Sequence, residues 1–288
     1  MYIDTKKTIN NMYKDIDSKI ERLKAEGAEP SIAIIRVEGD DASKVYVESK
    51  AKRCEEHGIK STIVTLPNNT TMENLIANIE YLNSSSVDGF MLQLPLPKHL
   101  DAETAIKHID PKKDIDCLTT ERLGQVFKGE MNITPCTPKG IVKILEDNMD
   151  LEGKDILIIN RSMLVGIPLA RMLTNKNATV TVAHSKTNLL QEKMFSADVI
   201  ITAVGKANFI DKLTLMCLDK VASKTDRDIY IIDVSMNRNE EGRLCGDVTR
   251  DESLVDKLTN IYITPVPGGV GLTTVASLLD NTLELMNE

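Results

Sequence analysis

Short apolar runs alternate with helix-length segments along nearly the whole chain, and that alternation leaves few folds open. Ser31–Val37 (SIAIIRV) lies between Pro30 and Gly39 and reads as a buried strand. Residues 41–57 read as a helix that opens on an Asp pair and closes at Gly58. Lys60–Leu66 reads as a strand, Met72–Leu82 as a helix and Val87–Leu92 as a strand. Together with a polar lead helix over residues 2–26, this is a β-α-β-α-β unit. Sequential strands joined by helices predict a parallel sheet covered on both faces.

An irregular, Pro-rich stretch follows, with Pro95, Pro97, Pro111, Pro135 and Pro138. A helix over about Lys139–Asn148 leads into a second alternating block. Its strands are Asp155–Ile159 (DILII), Ala178–Ala183, Asp198–Ala203 and Asp228–Val234, and the chain ends in a helix over residues 273–286. The fold class is therefore α/β, with two α/β domains around a cleft, the second a Rossmann-like dinucleotide-binding domain. The expected division is residues 1–138 with 271–288, and residues 139–270.

Composition narrows the function. With 35 Lys and Arg against 43 Asp and Glu the net charge is −8, and aromatic residues make up 3% with no Trp. Clustered positive charge and stacking platforms for nucleic acid are both missing, so no nucleic-acid partner is expected. No apolar run reaches about 18 residues and the N-terminus lacks a signal peptide's apolar centre, so the expectation is a cytoplasmic protein with no membrane partner. The five Cys are odd in number, with no Cys-x-x-Cys pair, and the four His form no metal-ligand spacing. Reduced thiols and no metal site are the reading.

Several segments carry chemistry. The first strand of the second block runs into the turn Asn160-Arg161-Ser162-Met163-Leu164-Val165-Gly166, which opens a helix. A helix N-terminus there can hold phosphate, although an ordinary βα turn fits the same residues. The next strand ends in His184-Ser185-Lys186 where an NAD site would place an acid for the ribose hydroxyls. With Arg161, these residues favour NADP.

On the helix at 41–57, Lys44, Glu48, Lys52 and Glu55 form one stripe at about 100° per residue. Lys50 lies opposite, on the face of Ser43, Tyr46, Cys54 and His57. Such a lysine either snorkels at the edge of the core or, with its pKa lowered by burial, transfers protons. Tyr46-x-x-x-Lys50 is also a short-chain dehydrogenase spacing, but here it precedes the nucleotide turn instead of following it. Gln93 closes a strand before Leu94-Pro95, and Asp116 in Lys112-Lys113-Asp114-Ile115-Asp116 either binds a ligand's amino groups or is solvated.

Taken together, Tyr46-Val47-Glu48-Ser49-Lys50, QLPLP at 93–97, KKDID at 112–116, PCTPKG at 135–140, N-R-S-x-x-V-G-x-P at 160–168, HSKT at 184–187 and PVPGGVG at 265–271 resemble the methylenetetrahydrofolate dehydrogenase/cyclohydrolase family. The resemblance covers nearly the whole chain. It implies oxidation of methylenetetrahydrofolate with NADP and hydrolysis of the methenyl product to formyltetrahydrofolate, in one-carbon metabolism and purine biosynthesis. It also implies a homodimer.

By the same resemblance Lys50, Tyr46, Gln93 and Asp116 are catalytic. Tyr46 packs on the folate rings, Gln93 orients Lys50 and Asp116 holds the pterin's amino edge. Leu92, Leu94, Pro267, Gly268 and Gly269 join them around the substrate. Asn160, Arg161, Ser162, Val165, Gly166, Ser185 and Met236 are the implied cofactor residues. The chain departs from the family pattern where Asn160, Ser235 and Cys117 replace Gly, and where Leu272-Thr273 replaces Pro-Met.

Overall fold

The computed structural model describes residues 1–288 apart from Met131, Glu240 and Asp256, with the backbone alone for Asp41, Ala42 and Glu252. By its contacts the chain divides into two units, Asn11–Cys136 with Val275–Glu288, and Met1–Asn10 with Thr137–Thr274.

The first unit is entered through α1 (Thr5–Ala25) and continues as β1 (Ser31–Val37), α2 (Asp41–Glu56), β2 (Lys60–Leu66), α3 (Met72–Ser84) and β3 (Gly89–Leu92). The strands form a parallel sheet in the order β2-β1-β3. Central β1 is apolar at nearly every position because it is buried on both faces. On one face Ala33, Ile35 and Phe90 pack with Leu75, Ile79 and Leu82 of α3.

The Pro-rich stretch is more ordered than expected. It contains α4 (Ala102–Lys107), a 3-10 turn at Pro111–Lys113 and α5 (Thr120–Lys128). Side chains of Asp101, Asp110 and Thr119 cap these three elements, and Gly129 ends α5 at φ +99°. These cap residues mark where the elements start and stop.

The second unit contains α6 (Cys136–Glu146), β4 (Asp155–Ile159), α7 (Gly166–Thr174), β5 (Thr179–Ala183), α8 (Leu190–Ser196), β6 (Val199–Thr202), α9 (Lys212–Thr225) and β7 (Ile229–Asp233). It then adds a hairpin of β8 (Asn237–Arg238) and β9 (Leu244–Cys245), α10 (Glu252–Val255), β10 (Ile261–Ile263), and the start of α11 (Val270–Leu285). Five parallel strands run in the order β10-β7-β6-β4-β5. After β5 the chain returns to the opposite side of β4 to form β6, so the strand order reverses between β4 and β6. That reversal opens a crevice at the carboxyl ends of the two strands.

The first ten residues, expected with the first unit, group with the second. The amino terminus donates to the Ile261 carbonyl at 2.7 Å, and Tyr2 bridges Ile263. Among the described residues no helix is long and apolar enough to cross a membrane.

Candidate active site

In the first unit Lys50 is only 5% exposed. Its Nζ donates to Gln93 Oε1 at 3.0 Å, lies 3.5 Å from Met91 Sδ and stands 4.5 Å from the centre of the Tyr46 ring. α2 places Tyr46 and Lys50 one turn apart, which puts both on the inner face. Gln93 follows β3 and is fixed at both ends. Its backbone N–H donates to Ile35 O at 2.8 Å and its Nε2 to Leu94 O at 2.6 Å, which leaves Oε1 turned to the lysine.

The two aspartates of the 112–116 segment have different tasks. Asp114 is buried and accepts from the Leu118 and Thr119 backbone N–H groups at 3.1 and 2.7 Å, so it holds the loop. Asp116 is in electrostatic reach of Lys50 and Tyr46, and the neighbouring Cys136 thiol donates to Ile115 O at 3.5 Å. Asn281 of α11, fully buried, donates to Ile115 O at 2.9 Å and Thr134 O at 2.8 Å, tying both flanks of this pocket to one helix.

Burial governs the charges. It pushes the Lys50 ammonium below its ordinary range, opposed by the nearby Asp116 carboxylate. It pushes Asp116 up, opposed by Lys50. The Tyr46 phenol is raised by burial and then by Asp116, and the Cys54 thiol is pushed up to about 12 by burial. The result is a lysine brought toward neutrality in a pocket whose phenol and thiol stay protonated. Cys136 and Asn281 were not singled out in the sequence. Cys136 lies within the PCTPKG segment, whereas nothing local marks Asn281.

In the second unit, the turn after β4 is built around Asn160. Its Oδ1 accepts from Ser162 N and Ser162 Oγ, both at 2.8 Å, and from Gly166 N at 3.0 Å. Its Nδ2 donates to Ala203 O, just past β6, at 2.8 Å. Gly166 has to be glycine, because a Cβ there would lie 2.1 Å from the Asn160 carbonyl oxygen. At the start of α7, Ile167 N donates to Ser162 O and Pro168 has no N–H. The helix N-terminus therefore presents no free donor in its first three residues, contrary to the expectation that it offers them to a phosphate.

Side chains supply the positive charge instead. Arg161 and Lys186 are exposed, and neither has an ion-pair partner among the described residues. Ile159 pairs with Ala183 in the sheet, so Arg161 and Ser185-Lys186 follow adjacent strand ends. His184 serves its own turn. Its N–H donates to Thr187 Oγ1 at 2.8 Å, and its Nδ1 accepts from Lys186 N at 3.1 Å. Exposed Met163, Leu164, Leu189, Val204 and Met236 stand on the loops after β4, β5, β6 and β7, an apolar rim at one edge of the sheet.

Ser235 follows β7, accepts from Gly205 N at 3.0 Å and donates to Asp247 Oδ2 at 2.8 Å. Asp247 also accepts from the Val204 and Lys206 N–H groups at 2.7 and 2.8 Å. The loop after β6 is thus held from both neighbouring strands. In the segment at 265–271, Gly268 has φ +106° and Gly269 packs so tightly that a Cβ would meet Pro265 O at 2.4 Å. Thr5 Oγ1 donates to Gly268 O at 2.8 Å.

A parallel sheet that reverses its order beside cationic and apolar loop tips is the frame of a dinucleotide-dependent enzyme, and the first unit holds a buried amine whose pKa burial lowers. Family models carry the assignment further. Residues 3–116 match the tetrahydrofolate dehydrogenase/cyclohydrolase catalytic domain, and residues 135–288 match the NAD(P)-binding domain of the same family. The chain belongs to the tetrahydrofolate dehydrogenase/cyclohydrolase family. It is 43% identical to the bifunctional protein FolD of Agathobacter rectalis over 283 residues, 97% of each chain. The crystal structure of the bifunctional FolD enzyme from Campylobacter jejuni superposes with a TM-score of 0.89 at 40% identity, covering 100% of this chain and 99% of that one. The Trypanosoma brucei enzyme, solved with NADP and an inhibitor, gives a TM-score of 0.86 at 30% identity, covering 100% and 97%.

Proposed function

We propose that the Lys50 pocket is where this chain performs the two reactions of its family: oxidation of methylenetetrahydrofolate to methenyltetrahydrofolate with NADP, and hydrolysis of the methenyl compound to formyltetrahydrofolate. The observation that carries this assignment is the buried Nζ of Lys50, 3.0 Å from a Gln93 amide that is itself fixed by Leu94 O.

Bound NADP supplies the hydride acceptor. The exposed Arg161, Ser185 and Lys186 fit its phosphate end, the apolar rim fits its rings, and β5 ends without an acid for a free ribose diol. Asn160, Ser162, Val165 and Gly166 shape the turn beneath, and Met236 belongs to the rim. On the folate side Tyr46 presents a ring face, with Leu92 and Leu94 flanking Gln93. Asp116 accepts from the pterin's amino edge, and the family resemblance adds Pro267, Gly268 and Gly269 to the substrate residues.

Hydrolysis needs a proton taken from water as its oxygen joins the methenyl carbon, and a proton given to the nitrogen that departs. Lys50 with a lowered pKa does both. One N–H is held by Gln93 Oε1, so the lone pair of the neutral amine is oriented away from that bond. The methenyl compound is cationic, which further disfavours the ammonium form. The reading extends to a homodimer, as the resemblance implies, and to a cytoplasmic location.

The folate assignment is tested by calorimetric titration of a tetrahydrofolate ligand into wild type and Asp116→Ala. Loss of a charge-assisted hydrogen bond worth about 1.5–3 kcal/mol weakens folate binding roughly ten- to a hundred-fold, with NADP affinity little changed. Equal folate affinity in both proteins removes Asp116 from the site.

A further inference from the structure

We propose that Asn160 is a positioning residue that occupies, with its own amide, the place where a dinucleotide's pyrophosphate would meet the backbone. This inference rests on reading the turn after β4 as part of the dinucleotide site. Two independent contacts define the role. First, three donors converge on Asn160 Oδ1 at 2.8–3.0 Å: Ser162 N, Ser162 Oγ and Gly166 N. That is the arrangement in which a turn and a helix N-terminus hold an anionic oxygen, and here a neutral carbonyl oxygen of the chain fills it.

Second, Asn160 Nδ2 reaches across to Ala203 O at 2.8 Å. β4 and β6 are the two strands between which the sheet reverses its order, so the side chain spans the crevice at the switch point itself. On the far side of β6, Ser235 Oγ binds Gly205 N at 3.0 Å, so the loop on which the amide rests is braced.

The consequence concerns how affinity is distributed over the cofactor. Ser162 N and Gly166 N are already bonded to the amide, so a pyrophosphate would gain little from these two backbone donors. Binding then depends on side chains at the rim, Arg161, Ser185 and Lys186, which read the 2′-phosphate. The chain keeps discrimination between NADP and NAD while holding both weakly at the part they share. Residue 160 therefore sets the common affinity, and Arg161 sets the preference.

The experiment is equilibrium titration of NADP and of NAD into wild type, Asn160→Gly and Asn160→Asp, with a thermal melt of each protein. Asn160→Gly frees two backbone donors, and both dinucleotides bind about tenfold tighter with their affinity ratio unchanged. A residue that merely supported the fold would give weaker binding on removal, not tighter. Asn160→Asp keeps the acceptor of those N–H bonds but faces the pyrophosphate with a negative charge, and both dinucleotides bind at least tenfold weaker. Affinities in Asn160→Gly within twofold of wild type, or a change confined to one dinucleotide, overturn the proposal. Should Asn160→Gly melt so low that it cannot be titrated, Asn160→Asp decides alone, and unchanged affinity for both overturns it. Wild type binding neither dinucleotide would instead overturn the dinucleotide reading of the unit, and this proposal with it.

Discussion

Replacing Lys50 by Met removes the amine while keeping an unbranched side chain of similar reach. In stability the change is nearly balanced. Gln93 Oε1 loses its 3.0 Å donor inside a buried pocket, a loss of about 1–3 kcal/mol. Against that, a group whose charged form burial disfavours is gone, and an apolar chain takes its place beside Met91 and the Tyr46 ring. The net effect on folding stability is within about 2 kcal/mol. In rate the change is one-sided. Proton transfer by a positioned side chain contributes about 10²–10⁴-fold, so methenyltetrahydrofolate hydrolysis falls by that factor. The sign of the pH dependence is also set. Burial lowers the Lys50 pKa, the neutral amine is the active form, and wild-type hydrolysis rises with pH through that lowered value and then levels. The variant lacks this limb. The assay is loss of methenyl absorbance across the pH range, alongside a thermal melt. Wild-type hydrolysis in a folded variant, or an unchanged pH limb, refutes the role of Lys50.

Arg161→Ala lowers kcat/KM with NADP about ten- to a hundred-fold and leaves NAD nearly unchanged, because only NADP carries the 2′-phosphate that a guanidinium forks onto; equal loss with both cofactors refutes the assignment. Burial raises the Asp233 carboxyl from 3.8 to about 6, so its contribution is fully present below 3.8 and is lost as pH rises through 6, about 3 kcal/mol in all. Urea denaturation of wild type and Asp233→Asn between pH 4 and 7 should show the variant gaining by that amount relative to wild type, and parallel curves contradict it. Gly166→Ala sets a methyl 2.1 Å from the Asn160 carbonyl oxygen and costs about 1–3 kcal/mol, read as a lower Tm; an unchanged melt shows that the turn has room.

How much of this was legible in the sequence differs by element. Ser31–Val37, Lys60–Leu66 and Asp155–Ile159 were read with the bounds the structure shows, because each is an apolar or β-branched run of ordinary strand length. Ile261–Ile263 was missed because three residues are too few to show a period; it is a strand through its register with Ile229–Ile231. α5 was missed for another reason. Thr119 and Gly129 bracket it as cap residues, but the prolines on either side dominate a reading by composition.

At the site, helix geometry alone set Lys50 and Tyr46 on one inward face. The choice of Asp116 over Asp114 came from the family resemblance and not from spacing, and its physical reason is that Asp114 accepts from the Leu118 and Thr119 N–H groups. Asn160 was visible as an unusual residue for a close-approach turn. That its amide fills the turn and reaches Ala203 depends on two strands 43 residues apart in sequence, which no local pattern records.

The most direct test of the whole account is a single incubation of the wild-type protein with methylenetetrahydrofolate and NADP, run in parallel with NAD, following reduced nicotinamide and formyltetrahydrofolate together. The account predicts reduced NADP and formyltetrahydrofolate in equal amounts, with NADP used faster than NAD. No reduction of either dinucleotide, or reduction with methenyltetrahydrofolate accumulating unhydrolysed, would contradict it.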